Sequence, residues 1–244
     1  MLKINHLTKH YRGSNKGITD ISLQVEAGDI YAFIGHNGAG KTTTLKCIAG
    51  IHGFDSGQIL VGGIDLRKDP LGCKRLLAYI PDNPDLYEYL TGIQYLNFIA
   101  DVFQVEAGKR KERIEKYAES FEITPSLGDL ISTYSHGMKQ KLALISALVH
   151  EPKLLILDEP FVGLDPKASV ILKDEMRKIC ADGGAILFST HVLDVAEKLC
   201  SKVAIIKDGI LVISGDMEKI VRPGQTLESI FMEVIGNGNA AVTD

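Results

Sequence analysis

Three glycines, a lysine and two threonines fall within the segment GHNGAGKTT at positions 35–43. Glycine at that density is typical of backbone that must take unusual dihedral angles or approach a ligand closely. In the pattern G-x-x-x-x-G-K-[ST], backbone N–H groups curl around a β-phosphate, the lysine reaches the β- and γ-phosphate oxygens, and the hydroxyl binds Mg²⁺. We therefore predict a phosphate-binding loop formed by Gly35, His36, Asn37, Gly38, Ala39, Gly40, Lys41, Thr42 and Thr43, with Thr42 also a metal ligand.

Two adjacent acids follow an apolar run in the segment LLILDEP at positions 154–160. At the end of a strand, neighbouring residues can do different work. We predict that Asp158 holds Mg²⁺ and that Glu159 orients or deprotonates the water that attacks a γ-phosphate. The alternative interpretation is a pair of solvated acids in a turn.

A third polar group, Ser189-Thr190-His191, ends the apolar run AILF. Functional residues of open α/β sheets gather where the carboxyl ends of parallel strands meet. His191 is therefore placed to reach the γ-phosphate. With Glu159 it completes the candidate catalytic pair.

The flanking segments predict the elements that would position these side chains. DIYAFIG (29–35) is a mostly apolar strand that enters the loop, and KTTTLKCIAG (41–50) is a helix that leaves it. Two short strands precede them, and KVAIIKDGILVISG (202–215) is a hairpin candidate that turns at Asp208-Gly209. The runs LLILD and AILFST have the length and apolar character of parallel strands covered on both faces.

Residues 91–149 differ, because their apolar residues recur at helical spacing. The predicted fold class is α/β: a phosphate-loop NTPase core with a mostly parallel sheet, an N-terminal antiparallel β-subdomain and an inserted α-helical subdomain. The expected division is residues 1–90 and 150–222 for the core with its β-subdomain, 91–149 for the helical part and 223–244 for a short tail.

The composition of the chain argues against a nucleic acid as its partner. The chain has 244 residues, 45% of them hydrophobic, and a formal net charge of −4, which provides no general basic field for a nucleic acid. The four cysteines are widely spaced without a metal-ligand pattern, as expected of reduced thiols. No apolar run approaches the roughly 18 to 20 residues that span a bilayer, so a membrane role is expected to come through a partner.

The order of these motifs resembles the nucleotide-binding subunits of ABC transporters over nearly the whole chain. By that resemblance, residues 163–165 (Gly-Leu-Asp) are similar to the family's D-loop, His191 to its switch histidine, and Tyr11 to the aromatic residue that stacks on adenine. The resemblance implies ATP and Mg²⁺ as ligands. It adds Tyr11 and Asp165 to the predicted nucleotide-binding residues.

The segment YSHGMKQKLAL (134–144) is similar to the family signature usually written LSGGQ, with two departures. Ser135 and Gly137 keep the hydroxyl and the bare backbone at a helix N-terminus, while His136 and Met138 replace a glycine and a glutamine. In the family, two subunits pair head to tail and each signature covers the ATP of the other. The resemblance therefore implies a second nucleotide-binding subunit, with Ser135 and Gly137 acting on its ATP.

A further departure lies in the family's Q-loop, where a glutamine normally contacts Mg²⁺ and the membrane partner. Here Asp82 occupies that position within PDNP (81–84), and we predict it as a third metal ligand beside Thr42 and Asp158. The alternative is that Asp82 only favours a turn before Pro84. The following residues, LYEYLTG (86–92), are the expected edge of a groove for a partner helix.

Together these features predict an ATP-hydrolysing subunit at the cytoplasmic face of the cell membrane. It is most similar to bacterial ABC-2 type exporter subunits, which the resemblance links to drugs, antimicrobial peptides or lipids. An integral membrane subunit is the expected partner, and nucleic acid is not. The alternative is a soluble ABC ATPase that acts on ribosomes or DNA.

Overall fold

The structure is a computed structural model that describes residues 1–13 and 16–236. In that part of the chain there are ten strands: β1 Leu2–His10, β2 Gly17–Val25, β3 Ile30–Ile34, β4 Ser56–Val61, β5 Ile64–Asp65, β6 Leu77–Ile80, β7 Leu154–Asp158, β8 Ala185–Thr190, β9 Lys202–Lys207 and β10 Ile210–Asp216. The α-helices of the same part are α1 Lys41–Ile48, α2 Pro70–Leu76, α3 Gly92–Val102, α4 Ala107–Ser120, α5 His136–Val149, α6 Pro166–Ala181, α7 Leu193–Leu199, α8 Met217–Ile220 and α9 Leu227–Gly236.

Six strands form a central sheet in the order β10-β9-β3-β8-β7-β6. All neighbours are parallel except the β9–β10 hairpin. The register pairs Ile34 with Thr190 and Asp158 with Ser189, so the ends of β3, β7 and β8 lie in line. The predicted loop and both predicted polar groups therefore meet at one edge of the sheet.

The second sheet is antiparallel, in the order β2-β1-β4-β5, and confirms the predicted N-terminal β-subdomain. Because side chains of a strand alternate between its faces, β3 contributes to two apolar clusters. Tyr31 and Phe33 pack with α1 and the antiparallel sheet, whereas Ala32 and Ile34 pack with the helices of the opposite face. The mixed architecture confirms the predicted α/β fold class.

Residues 91–149 contain α3, α4 and α5, which agrees with their helical periodicity. Thr91 and Gln94 form a capping box at the start of α3, in which each side chain accepts the other's backbone N–H. Leu96 of α3 and Leu144 of α5 belong to the same apolar cluster as Ile34 of the central sheet. The helices thus share a core with the sheet, and the domain boundaries at 90/91 and 149/150 stay a prediction.

The predicted hairpin turn is present at Asp208 and Gly209, both of which have positive φ, at 49° and 80°. This conformation suits a tight two-residue turn between twisted strands. The Gly209 N–H donates to the Ala39 carbonyl at 2.9 Å, so the turn is hydrogen-bonded to the backbone of the glycine-rich loop.

The predicted tail, residues 223–244, lies partly outside the described residues, which end at Gly236 of α9. Helices α2 and α7 were not expected from the sequence. Across residues 1–13 and 16–236, no helix is long and apolar enough to cross a membrane. All four cysteines are buried and free, and burial raises the pKa of each thiol.

Candidate functional site

The glycine-rich loop joins β3 to α1 and depends on glycine at two crowded positions. A Cβ atom at Gly35 would lie 2.6 Å from the Ile206 carbonyl oxygen, and one at Gly40 would lie 2.7 Å from Ile18 Cγ2. Gly40 also has a φ of 111°, which side chains rarely allow. The bare backbone is therefore required both by the packing beneath the loop and by its dihedral angles.

Lys41 begins α1 and places its ammonium inside the loop. Its side chain is nearly buried, and Nζ donates to the Gly35 carbonyl at 2.6 Å. Nζ also lies 3.4 Å from Glu159 Oε1. The Lys41 ammonium thus lies between the glycine-rich loop and Glu159. Phosphate oxygens bound in the loop would contact this cation.

Asp158 links three elements through its carboxylate. It is 2% exposed and accepts hydrogen bonds from Thr42 Oγ1 at 2.7 Å and from Ser189 Oγ at 2.5 Å. The neighbouring Thr42 and Asp158 oxygens fit Mg²⁺, which prefers one or two protein oxygen ligands completed by water and phosphate. In the described residues no group of three or more His, Cys, Asp and Glu could hold a metal ion.

Glu159 takes an unusual backbone conformation, with φ at 48°. Its N–H donates to Ser189 Oγ at 2.9 Å, while Oε2 lies 2.9 Å from His191 Nδ1 and accepts the His191 N–H at 3.3 Å. A non-glycine residue in the left-handed region persists only when its surroundings hold it there. Contacts with Ser189 and His191 therefore hold Glu159 beside Lys41.

Lys41, Asp158 and Glu159 line a cleft of about 330 Å³, whereas the predicted site residues Gly35, Ala39 and His191 are not among its lining residues. Of the predicted site residues, its lining includes Tyr11, His36, Asn37, Gly38, Gly40, Lys41, Thr42, Thr43, Asp82, Asp158 and Glu159. The predicted loop and both acids thus form one site.

Asp82 follows β6 and reaches the same cleft. Partial removal from solvent, followed by the nearby carboxylates Asp158 and Glu159, raises the pKa of Asp82, while His136 and His191 act in the opposite direction. A carboxylate gathered among others in this way is suited to a cation. A metal-binding role for Asp82 therefore stays a prediction, as does its alternative role in the turn before Pro84.

Comparison with known proteins gives the same family from three directions. Residues 18–162 match the family described as ABC transporter. The chain is 37% identical to the uncharacterized ABC transporter ATP-binding protein YxlF of Bacillus subtilis, over 93% of this chain and 74% of that protein. It is 32% identical to the linearmycin resistance ATP-binding protein LnrL of the same organism, over 88% of this chain and 69% of that protein.

A solved structure titled "Structure of ATP binding subunit of ABC transporter" superposes with a TM-score of 0.92 at 34% identity, covering 96% of this chain and 99% of that chain. The chain belongs to the ABC transporter ATP-binding proteins. It is an ATPase of that family and binds ATP.

Ser135, Gly137 and Asp165, which the family resemblance also assigned to ATP, lie outside this cleft. Ser135 caps α5, and its Oγ accepts the Met138 N–H at 3.3 Å. Asp165 caps α6 through the Ala168 N–H and lies 2.6 Å from Lys141 Nζ, which together lower the pKa of its carboxyl. The chain alone therefore does not bring its signature segment to its own phosphate loop.

Tyr11 borders the cleft from the end of β1. Its hydroxyl lies 3.3 Å from Thr43 Oγ1, and its ring meets the His52 ring edge-on at a centroid distance of 6.1 Å. An anchored, 36% exposed ring can stack on a base, so adenine contact remains the prediction for Tyr11.

Three residues of the site were not singled out for it from the sequence. Lys16 and Gly17 line the cleft, and Ser189 joins Asp158 to the Glu159 backbone. The sequence shows that Ser189 lies at a strand end, two residues before His191. Its bridge between Asp158 and Glu159 depends on the register between β7 and β8, which the sequence does not give.

We expect Lys41→Ala to weaken ATP binding, because the lost charge-assisted contact is worth about 1.5 to 3 kcal/mol. Isothermal calorimetry measures the change in affinity. Lys46→Ala, in the last turn of α1 and outside the cleft, is the matched control. Equal affinities for the two variants would contradict the role of Lys41.

Asp82→Asn should raise the Mg²⁺ concentration that gives half-maximal ATPase activity, because an amide oxygen binds a hard cation more weakly than a carboxylate. Asp82→Gln, which restores the family's usual residue, should recover part of the loss. Asp85→Asn is the control, since Asp85 does not line the cleft. An unchanged Mg²⁺ requirement would favour the turn-forming role of Asp82 instead.

Proposed function

We propose that the chain uses ATP hydrolysis to power export of a small molecule, peptide or lipid through a partner membrane subunit, at the cytoplasmic face of the cell membrane. The observation that carries the hydrolytic part is the contact of Glu159 with both Lys41 and His191. Export is supported by the likeness to a protein named for linearmycin resistance.

In the proposed reaction each side chain has one task. Lys41 and the N–H groups of the loop bind and orient the β- and γ-phosphates, while Thr42 and Asp158 hold Mg²⁺. When bound, Mg²⁺ neutralises charge that develops on the phosphates. Glu159 orients the attacking water and accepts its proton, and His191 holds the Glu159 carboxylate in place through Oε2.

A second copy or a close relative is the proposed partner that completes each ATP site. Ser135 is exposed at the N-terminus of α5, where its hydroxyl and the adjacent N–H groups can meet a γ-phosphate brought by another chain. Because Ser135 and Gly137 lie outside their own chain's cleft, a head-to-tail pair accounts for their predicted role.

The proposed contact with the membrane subunit is an apolar groove of about 430 Å³ along the free edge of β6. Leu86, Tyr95 and Ile99 are among its lining residues. At the groove's end, Tyr87 contacts the rings of Tyr89 and Phe98, and all three side chains are exposed. An amphipathic helix of the partner would cover this surface.

The rival function, a soluble ABC ATPase on ribosomes or DNA, requires a surface for a polyanion. The net charge of −4 favours the membrane partner instead. Coexpression with any membrane protein that a neighbouring reading frame is found to encode tests the proposal directly. ATP-dependent transport by the reconstituted pair would support it, and ATPase stimulation by ribosomes or DNA in place of the membrane subunit would favour the rival.

Tyr89→Glu should reduce recovery of that membrane subunit in detergent while ATP affinity stays unchanged, because a charge would enter the apolar contact. Val170→Glu, on the exposed face of α6 and outside the groove, is the matched control. Equal recovery with both variants would place the contact elsewhere.

Glu159→Gln should retain ATP binding and slow hydrolysis by about 10² to 10⁴, the usual contribution of a positioned base. The ATP-bound pair should then accumulate, which light scattering detects. Normal turnover by this variant would exclude Glu159 as the base.

Mixing a Lys41→Ala chain with a Ser135→Arg chain should partly restore hydrolysis, although each is inactive alone. In a shared-site pair both defects fall on one ATP site, which leaves an intact loop facing an intact signature at the other. Differentially tagged chains report pair formation. If mixed pairs form without activity, a crosslink between Ser135→Cys and Gly38→Cys of different chains shows whether the two segments meet.

A further inference from the structure

His136, which stands where the family signature has a glycine, packs directly against the segment that follows Glu159. Gly163 has a φ of 79°, and a Cβ atom there would lie 2.6 Å from His136 Cδ2 and 2.8 Å from its Nε2. Both distances are shorter than real Cβ contacts. The imidazole therefore occupies the space that a side chain at position 163 would need.

Two further contacts join the same parts of the chain. A Cβ atom at Gly137 would lie 2.9 Å from the Gly163 carbonyl oxygen, so the backbones of the two segments touch. One turn further along α5, Lys141 Nζ lies 2.6 Å from Asp165 Oδ2. The first turns of α5 thus hold residues 163–165 at three points.

Residues 163–165 follow Glu159 after only three intervening residues. The Val162 N–H donates to the Glu159 carbonyl at 3.1 Å, which makes residues 159–162 a tight turn that ends one residue before Gly163. Glu159 itself holds a left-handed φ of 48°. A shift at Gly163 therefore has only this short turn in which to be absorbed before it reaches Glu159.

His136 also lies near the cleft of its own chain. It is close enough to Asp82, which lines that cleft, to lower the pKa of the Asp82 carboxyl against the effect of burial.

We propose that His136 is a positioning residue for Glu159 of its own chain, acting through Gly163. The inference rests on the proposed function, in which Ser135 and Gly137 serve the ATP of a partner chain. One segment would then contact the partner's nucleotide and set the geometry of its own base. A displacement of a catalytic group by about 1 Å can lower the rate about 10²-fold, so a contact that fixes Glu159 can affect turnover.

A double-mutant cycle tests the contact. Gly163→Ala should lower kcat about tenfold with little change in KM, because the new methyl group collides with the imidazole. In the His136→Gly background the same substitution should cost about threefold or less, the remainder coming from the left-handed φ. His136→Gln, which keeps a planar side chain, should retain more activity than His136→Gly. Equal effects of Gly163→Ala in both backgrounds would overturn the proposal.

Mixed pairs then distinguish the two possible targets of His136. When a His136→Gly chain pairs with a Lys41→Ala chain, the one intact phosphate loop shares its chain with the substitution but faces a normal signature. We expect this pair to be about tenfold slower than wild type paired with Lys41→Ala. Normal activity here, with slow turnover when both substitutions are in one chain, would show that His136 acts only on the partner's ATP.

Failure of the proposed shared site would appear differently. Mixing the Lys41→Ala and Ser135→Arg chains would then restore no hydrolysis, and the crosslink between positions 135 and 38 of different chains would be absent. The double-mutant cycle in unmixed protein would still decide whether His136 and Gly163 are coupled.

Discussion

The buried Asp158 carboxylate is the interaction on which the site depends. It accepts hydrogen bonds from Thr42 at the start of α1 and from Ser189 at the end of β8, while Asp158 itself ends β7. Three elements from distant parts of the sequence are thus fixed at one carboxylate. Charge-assisted hydrogen bonds of this kind are about twice as strong as neutral ones. The glycine-rich loop and the end of β7, with Thr42, Asp158 and Glu159, are therefore held in a fixed relative position.

Backbone strain is found at Glu159, the residue that follows Asp158. Glu159 holds a left-handed φ that costs about 1 to 3 kcal/mol, and its backbone, Oε1 and Oε2 contact Ser189, Lys41 and His191 in turn. The surrounding strands are apolar and wholly buried, so they can support this conformation. The arrangement aims the carboxylate into the cleft instead of along the surface of the sheet.

Sequence reasoning succeeded where a motif carries its own geometry. The loop from Gly35 to Thr43 and the acids after β7 follow from residue spacing and apolar runs, and the structure brings them together. Contacts that depend on tertiary register were out of reach. The bridge made by Ser189 requires β7 and β8 to be aligned, and the packing of His136 on Gly163 joins segments that no local pattern relates. Helix α2 had a usable signal, since Asp69 caps it and Pro70 begins it.

The signature segment shows why one chain can serve two sites. Ser135 lies outside the cleft of its own chain, whereas the exposed His136 and the half-buried Lys141 contact residues 163–165. A helix N-terminus that moves toward a phosphate must carry what is packed behind it, because closely packed segments do not deform independently. Residues 163–165 lead back to Glu159 through a single turn. In the proposed pair, closure over a partner's ATP and orientation of Glu159 in the same chain would therefore be linked through these contacts.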